Sequence, residues 1–452
     1  MSARIGFLPT VSYAYEAMTG PLRERKLAEA REAADEIASA TGAGIVWDGN
    51  LVSNESEGRA AGEGFAQEQV AAVVVFPTVA TMAAFSWAAL EHHDWPVLIW
   101  SRVPSEPAPK TISEQVFETT NIGATAIGNV LARHRRVFSS VMGPNLTLRA
   151  LAFIKAARTL ATLRGGTLAH IGGLGWDSML DVRLDPAHLE ATLGLKIVQV
   201  MPDKSAAPVP EETCPVEDGL DPEVYRRSRY LAGAIEAQVR SHGALGGSLH
   251  CHGDAMAQDP DFGVVGCLAA NRLTREGRPF SCTGDDCVAV ALVLGQHLAG
   301  AVQYMEMDPA YESVNAVMLS NGGEGDLRMA RENPPVRVCP NRFFCGQAGS
   351  GTCHDFVIAP GPASLINFTP IGDTYRVIVA EGEVLEELPP DLGMPRCFFR
   401  FGDTPAAAGF DRWCEAGANH HLGLVHGHHA YALRQFAHMA CIEFRQVTGR
   451  LD

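Results

Sequence analysis

Val70-Ala-Ala-Val-Val-Val-Phe-Pro-Thr-Val-Ala-Thr-Met-Ala-Ala-Phe-Ser-Trp-Ala-Ala-Leu90 is uncharged and long enough to raise the question of a membrane span. Pro77 decides against it, because a proline inside a helix removes a hydrogen bond and clashes with the preceding turn. The stretch reads instead as a buried parallel strand, Val70–Phe76, followed by a helix from about Val79. Similar apolar runs recur at Ile5–Leu8, Ala43–Trp47 and Val97–Trp100, each followed by a turn and an amphipathic segment. Strands separated by helices are βαβ units, so residues 1–165 are expected to form a Rossmann-like, doubly wound parallel sheet.

The pattern restarts at Thr167–Ile171, giving a second α/β domain over residues 166–298. The turn Gly172-Gly-Leu-Gly lacks the second half of a dinucleotide fingerprint and has no trailing lysine, so it reads as a plain tight turn. A helix covers Tyr225–Ser241, and an apolar helix from about Asp286 to Leu298 leads into the strand Ala301–Met307. After about Glu332, short alternating segments separated by Gly, Pro and Asp indicate antiparallel β structure. Residues 299–452 are therefore expected to be a β-rich, barrel-like domain closed by a single helix, Leu424 to about Gln446.

With 452 residues, 46% hydrophobic and 19% charged, the chain has the composition of a soluble globular protein with two or three cores. A net charge of −16 without any basic run argues against nucleic acid or an acidic membrane as partner. No signal-peptide pattern opens the chain, and the eleven cysteines lie in apolar contexts, which suits reduced thiols in the cytoplasm. Cys339, Cys345 and Cys353 cluster more closely, yet their spacing matches no common zinc knuckle.

The chemistry concentrates in Gly417-Ala-Asn-His-His-Leu-Gly-Leu-Val-His-Gly-His-His429, with five imidazoles in ten residues at what reads as a turn entering a helix. Imidazole is a common metal ligand. Upstream, Asp285 and Asp286 open a helix, and Glu306 and Asp308 end a strand. Carboxylates joined by an imidazole suit a hard or borderline divalent cation such as Mn²⁺ or Mg²⁺.

These landmarks together resemble the L-fucose/L-arabinose isomerase family. The resemblance runs through Arg4-Ile-Gly-Phe-Leu, Val75-Phe-Pro-Thr-Val-Ala-Thr, Ser248-Leu-His-Cys-His and Phe280-Ser-Cys-Thr-Gly-Asp. It continues in Tyr304-Met-Glu, Leu319-Ser-Asn-Gly-Gly and the histidine-rich stretch. It implies two Rossmann-like domains followed by a β-rich domain, a homo-oligomer (trimer or hexamer), and a small carbohydrate or sugar acid as substrate. It further implies a divalent metal, Mn²⁺ first, with Mg²⁺, Zn²⁺, Fe²⁺, Co²⁺ or Ni²⁺ as alternatives. Two carboxylates and a histidine hold that metal while a proton is shuttled through an enediol.

Carried onto this sequence, the metal ligands fall on Glu306 and His420, with Glu306 and Asp285 as catalytic candidates. Thr283, Asn419, His421 and Asn321 are candidate substrate contacts. The family's first glutamate position is Thr283, whose neutral hydroxyl is a weak ligand and cannot serve as a base near neutral pH. Either Asp285 or Asp286 turns inward, or His421 and Glu324 supply donors, or the isomerase reaction has been exchanged for epimerisation, carbon–carbon cleavage or sugar binding alone. Simpler roles stand beside these: helix capping for Asp285 and Asp286, a turn for Asp308, a solvated loop for Glu324 and Asp326. His426, His428 and His429 equally suit a helix face, and His250 and His252 a satisfied core.

Overall fold

A computed structural model describes residues 3–102, 109–173, 179–342 and 350–449. The chain divides into two compact units, Met1–Thr162 and Leu163–Asp452. No described helix is long and apolar enough to cross a membrane.

In the first unit, β1 (Ile5–Thr10), β2 (Ile45–Val46), β3 (Ala72–Pro77), β4 (Val97–Arg102) and β5 (Phe138–Gly143) form one sheet in the order β2-β1-β3-β4-β5. Every pairing is parallel. The run that opened the sequence reading becomes β3, fully buried, and a helix over Ala83–Leu90. Helices cover the sheet, so the strands can be apolar along their whole length. Val73, Val75, Val97, Ile99, Ile127 and Leu131 pack into one core. Each such side chain contributes about 1.5–3 kcal/mol through removal from water.

The second unit begins with another parallel sheet: β6 (Thr167–Ile171), β7 (Lys196–Val200), β8 (Gly246–Leu249) and β9 (Phe280–Ser281), in the order β7-β6-β8-β9. A Cβ at Gly247 would collide with the carbonyl oxygen of Ala169, so β8 can approach β6 closely only with glycine there. The helix Asp286–Ala299 runs from β9, and its residues from Cys287 to Gly295 are all buried.

The β-rich part follows: β10 (Gln303–Tyr311), β11 (Ala316–Ser320), β12 (Arg337–Pro340), β13 (Thr352–Asp355), β14 (Gly361–Ile371), β15 (Thr374–Val384), β16 (Arg396–Arg400), β17 (His421–His426) and β18 (Glu443–Thr448). The sheet order is β14-β17-β10-β11-β16-β15-β18, and β14 also pairs with β15. These pairings close a ring of six strands, with β18 added in parallel to the outer side of β15. Met305, Leu319, Phe356, Leu365, Ile378, Phe399, Leu422 and Leu424 pack together in its core.

The expected closing helix from Leu424 to Gln446 is corrected. His421–His426 is a strand, the helix is limited to Ala430–Met439, and Glu443–Thr448 is a strand again. Gly427 at φ 88° and Cys441 at φ 54° take left-handed backbone conformations that interrupt any continuous helix. Glu306 and Asp308 do not end their strand, and Asp308 is not in a turn, because β10 runs on to Tyr311 through an irregularity between Met307 and Ala310. Of the earlier cysteine cluster, Cys345 lies outside the described residues, as do Leu174 and Gly175 of the glycine turn.

Candidate active site

The loop Cys282-Thr-Gly-Asp285 leaves the carboxyl end of β9, the position at which open α/β sheets place ligand groups. Asp285 is fully buried and caps the following helix, its Oδ1 accepting from the Val288 N–H at 2.9 Å. Thr283 adopts φ 53°, a conformation that a β-branched residue rarely takes, and its buried Oγ1 has no hydrogen-bond partner. Strain and an orphaned hydroxyl coincide at the position where the family resemblance expects a glutamate.

Strand β17 pairs antiparallel with β10 so that His421 stands opposite Glu306. Directly opposed residues share a face. His421 is buried, its Nδ1 2.7 Å from Asp285 Oδ2 and its Nε2 3.7 Å from Glu306 Oε1. Glu306 remains partly open, and the Tyr304 hydroxyl donates to its Oε1 at 3.4 Å. Burial lowers the His421 pKa, but the hydrogen bond and charge of Asp285 outweigh it and the net shift is upward. Burial pushes the Asp285 carboxyl up while His421 pulls against it. The imidazole therefore has one nitrogen committed to a buried carboxylate and the other facing Glu306.

The neighbouring His420 points away. Its ring is about half exposed and its Nδ1 pairs with Asp181 at 2.5 Å. The structure thus brings His421, rather than His420, to Glu306 and Asp285. Asn321 is buried and fully occupied: Nδ2 donates to the carbonyls of Tyr304 and Glu324, and Oδ1 accepts from Gly323 N–H. Asn419 is buried, accepts from Asn367 Nδ2 at 2.6 Å, and keeps an unpartnered Nδ2. Asp286 turns to His170 and Ser248, bonding them at 2.9 and 2.6 Å.

The Nε2–Oε1 gap of 3.7 Å is too long for a hydrogen bond. It is close to the ~3–3.6 Å between two donors on one cation with arms near 2.1 Å. One imidazole and one carboxylate fit two positions of such a shell, leaving the others to substrate oxygens and water.

A second set of donors, assembled from residues read as core histidine and inert thiol, lies beside β8 and β9. Ligand atoms of Cys251, His252 and Cys282 fall within 4.8 Å of one another. The Cys282 hydrogen bond, then His252, draws the Cys251 thiol well below its ordinary range, whereas Cys282 and Cys267 are driven up. Glu324 is buried among them, and burial together with the charge of Cys251 raises its pKa to about 7. The buried Tyr304 phenol feels Glu306, Cys282, Glu324 and Asp285, so the two donor sets are neighbours. No sequence spacing announced this set; only the pairing of β8 with β9 brings positions 251 and 282 together.

Residues 303–443, which include β10, β17 and most of the ring, match the family model described as the L-arabinose isomerase C-terminal domain. Two relatives, both named sulfoquinovose isomerase, come from Priestia aryabhattai and Priestia megaterium (strain ATCC 12872 / QMB1551). Each is 24% identical over 326 residues, covering 67% of this chain and 70% of the relative. The carboxy-terminal part of the chain is thus similar to the corresponding domain of the L-arabinose isomerases. The chain is an enzyme. The matched domain carries both Glu306 and His421. Asp285 and Thr283 lie upstream of it, so the loop that departs from the family pattern is outside the matched segment.

Proposed function

We propose that the chain is an aldose–ketose isomerase, acting on a sugar or sugar acid through Glu306 and His421, with Asp285 as the group that holds His421 in place. The observation that carries this reading is the convergence of the three side chains, from β10, β17 and the loop after β9, around one partly open carboxylate. A divalent cation, Mn²⁺ first, would be held by Glu306 and His421 Nε2 and would polarise the sugar oxygens at C1 and C2. Asp285, accepting from Nδ1–H, fixes the tautomer that leaves Nε2 free to bind. Glu306, open to solvent on one side, takes the proton from C2 of the aldose and returns it to C1, with the enediol between. The C2 proton passes to C1 by way of Glu306, which can exchange it with solvent, and the O2 hydroxyl proton passes to O1, so the isomerisation balances without a co-reactant. Thr283 contributes no base, which leaves Glu306 as the single carboxylate for both transfers.

The same reading includes a homo-oligomer, trimer or hexamer, and a cytoplasmic setting. Because the relatives are named for sulfoquinovose, a hexose with an anionic substituent is the first substrate to try. Chelator-stripped protein should be inactive and regain turnover with added Mn²⁺ on a panel of sulfoquinovose, hexoses, 6-deoxyhexoses, pentoses and sugar acids. Solvent deuterium should enter at C1 or C2. Glu306→Gln should lower turnover by about 10²–10⁴-fold with the fold intact. No interconversion across the panel by metal-loaded, folded protein would transfer weight to a different reaction at the same site.

A further inference from the structure

We propose that Cys251, His252 and Cys282 form a second cation site, selective for a thiophilic divalent ion such as Zn²⁺, with Glu324 at its margin as the fourth donor. This goes beyond the isomerase reading, because none of the four residues is used in it. Cys251 and His252 lie in the turn that follows β8, and Cys282 comes directly after β9. These strands are parallel neighbours, with Ser248 beside Ser281, so their carboxyl ends deliver the donors to one place. The two sulfurs are 4.0 Å apart. A tetrahedral shell with 2.3 Å Zn–S arms has an edge of about 3.8 Å, so little movement is needed.

Glu324 supplies an independent observation. It is 2% exposed, its Oε1 accepts from the Cys267 thiol at 3.2 Å, and its buried Oε2 has no hydrogen-bond partner. Among the described residues it enters no ion pair. A buried carboxylate oxygen without a donor is costly, and a cation would satisfy it. Another group with ligand spacing, Glu212, Cys214 and His354, does not compete. Arg272 and Arg275 already hold the Glu212 oxygens, and their charge opposes a cation.

The chain would then sort ions by softness, with Mn²⁺ on the oxygen and imidazole of Glu306 and His421 and Zn²⁺ on the sulfurs. On binding, both sulfurs are held as thiolates, any protons they still carry pass to water and no electrons move.

Co²⁺ reads out this site apart from activity. Reduced, chelator-stripped full-length protein titrated with Co²⁺ should develop a thiolate-to-metal charge-transfer band in the near ultraviolet, displaced by Zn²⁺. Cys251→Ser and Cys282→Ser should each abolish or strongly weaken it, and Cys339→Ser should leave it unchanged. Where either serine variant fails to fold, His252→Ala should still shift and weaken the band. Glu306→Gln should keep the band while losing turnover, so failure of the isomerase reading and failure of this one are distinguishable. Absence of any thiolate band in the unmodified protein, or a band that survives Cys251→Ser and Cys282→Ser, would overturn the proposal.

Discussion

At the carboxyl ends of β1, β3 and β4 in the first unit, the hydroxyl and amide side chains satisfy one another, and Arg102 pairs with Glu32. Thr10 and Thr81 hydroxyls meet at 3.2 Å, Thr78 Oγ1 donates to the Thr10 carbonyl at 2.8 Å, and Ser101 bonds Thr120 and Asn121. At the carboxyl ends of β8 and β9 in the second unit, the corresponding region holds His252, Cys251, Cys282, Thr283 and Asp285, and the buried Thr283 hydroxyl has no partner. Both sheets are parallel and helix-covered, so backbone topology alone does not separate them. The first is finished as a scaffold, with its hydrogen bonds closed. The second leaves the Thr283 hydroxyl open, which stability alone does not explain.

That contrast can be broken at its strongest point. Asp285→Ala should destabilise the second unit by about 3–5 kcal/mol, because it strips a buried imidazole of its partner and the following helix of its cap. Denaturant unfolding measures this. A loss no greater than about 1 kcal/mol, the typical cost of one uncharged hydrogen bond, would show that the site is not built around that pair.

Acid provides a second test, elsewhere in the second unit. Burial pushes Glu212 up, but hydrogen bonds from His354 and Arg272 outweigh it and bring its pKa to about 2, below the ordinary 4.5. A depressed acid contributes stability that is complete above its unfolded pKa. That stability is lost as pH falls through the folded value. Unfolding free energy should therefore hold above about pH 5 and drop by roughly 2–3 kcal/mol toward pH 2. Glu212→Gln should lower the plateau and flatten that slope. An unchanged slope in the variant would remove Glu212 from the account.

The smallest effects sharpen the comparison from both sides. Thr78→Val in the first unit deletes a closed hydrogen bond and should cost about 1 kcal/mol. Thr283→Gly in the second removes an unpartnered hydroxyl and the strain of φ 53°, and should stabilise by roughly 0.5–1 kcal/mol. The opposite signs, read from thermal or denaturant melting, would separate a scaffold position from one retained against stability. A destabilising Thr283→Gly would mean that its side chain is a structural support after all.

The parallel strands were legible in the sequence because a strand buried on both faces is an unbroken apolar run, as in Ala72–Pro77 and the Val97–Trp100 part of β4. The helix Asp286–Ala299 was legible from its paired acids followed by apolar residues. The parallel sheets and the β-rich carboxy-terminal sheet follow from such local patterns. So does the choice of Glu306 and the histidine stretch as candidate site residues, since few other residue types offer that chemistry. The tertiary structure alone decided which histidine faces inward. His420 and His421 are adjacent, and only the register of β17 against β10 assigns one to Glu306 and the other to Asp181. It alone brought Cys251 to Cys282, because strand adjacency in a parallel sheet is set by packing and chain crossover rather than by sequence spacing. Local pattern determines what each segment can become; which side chains then meet is a property of the pairings between distant segments, and it is there that this protein's site was decided.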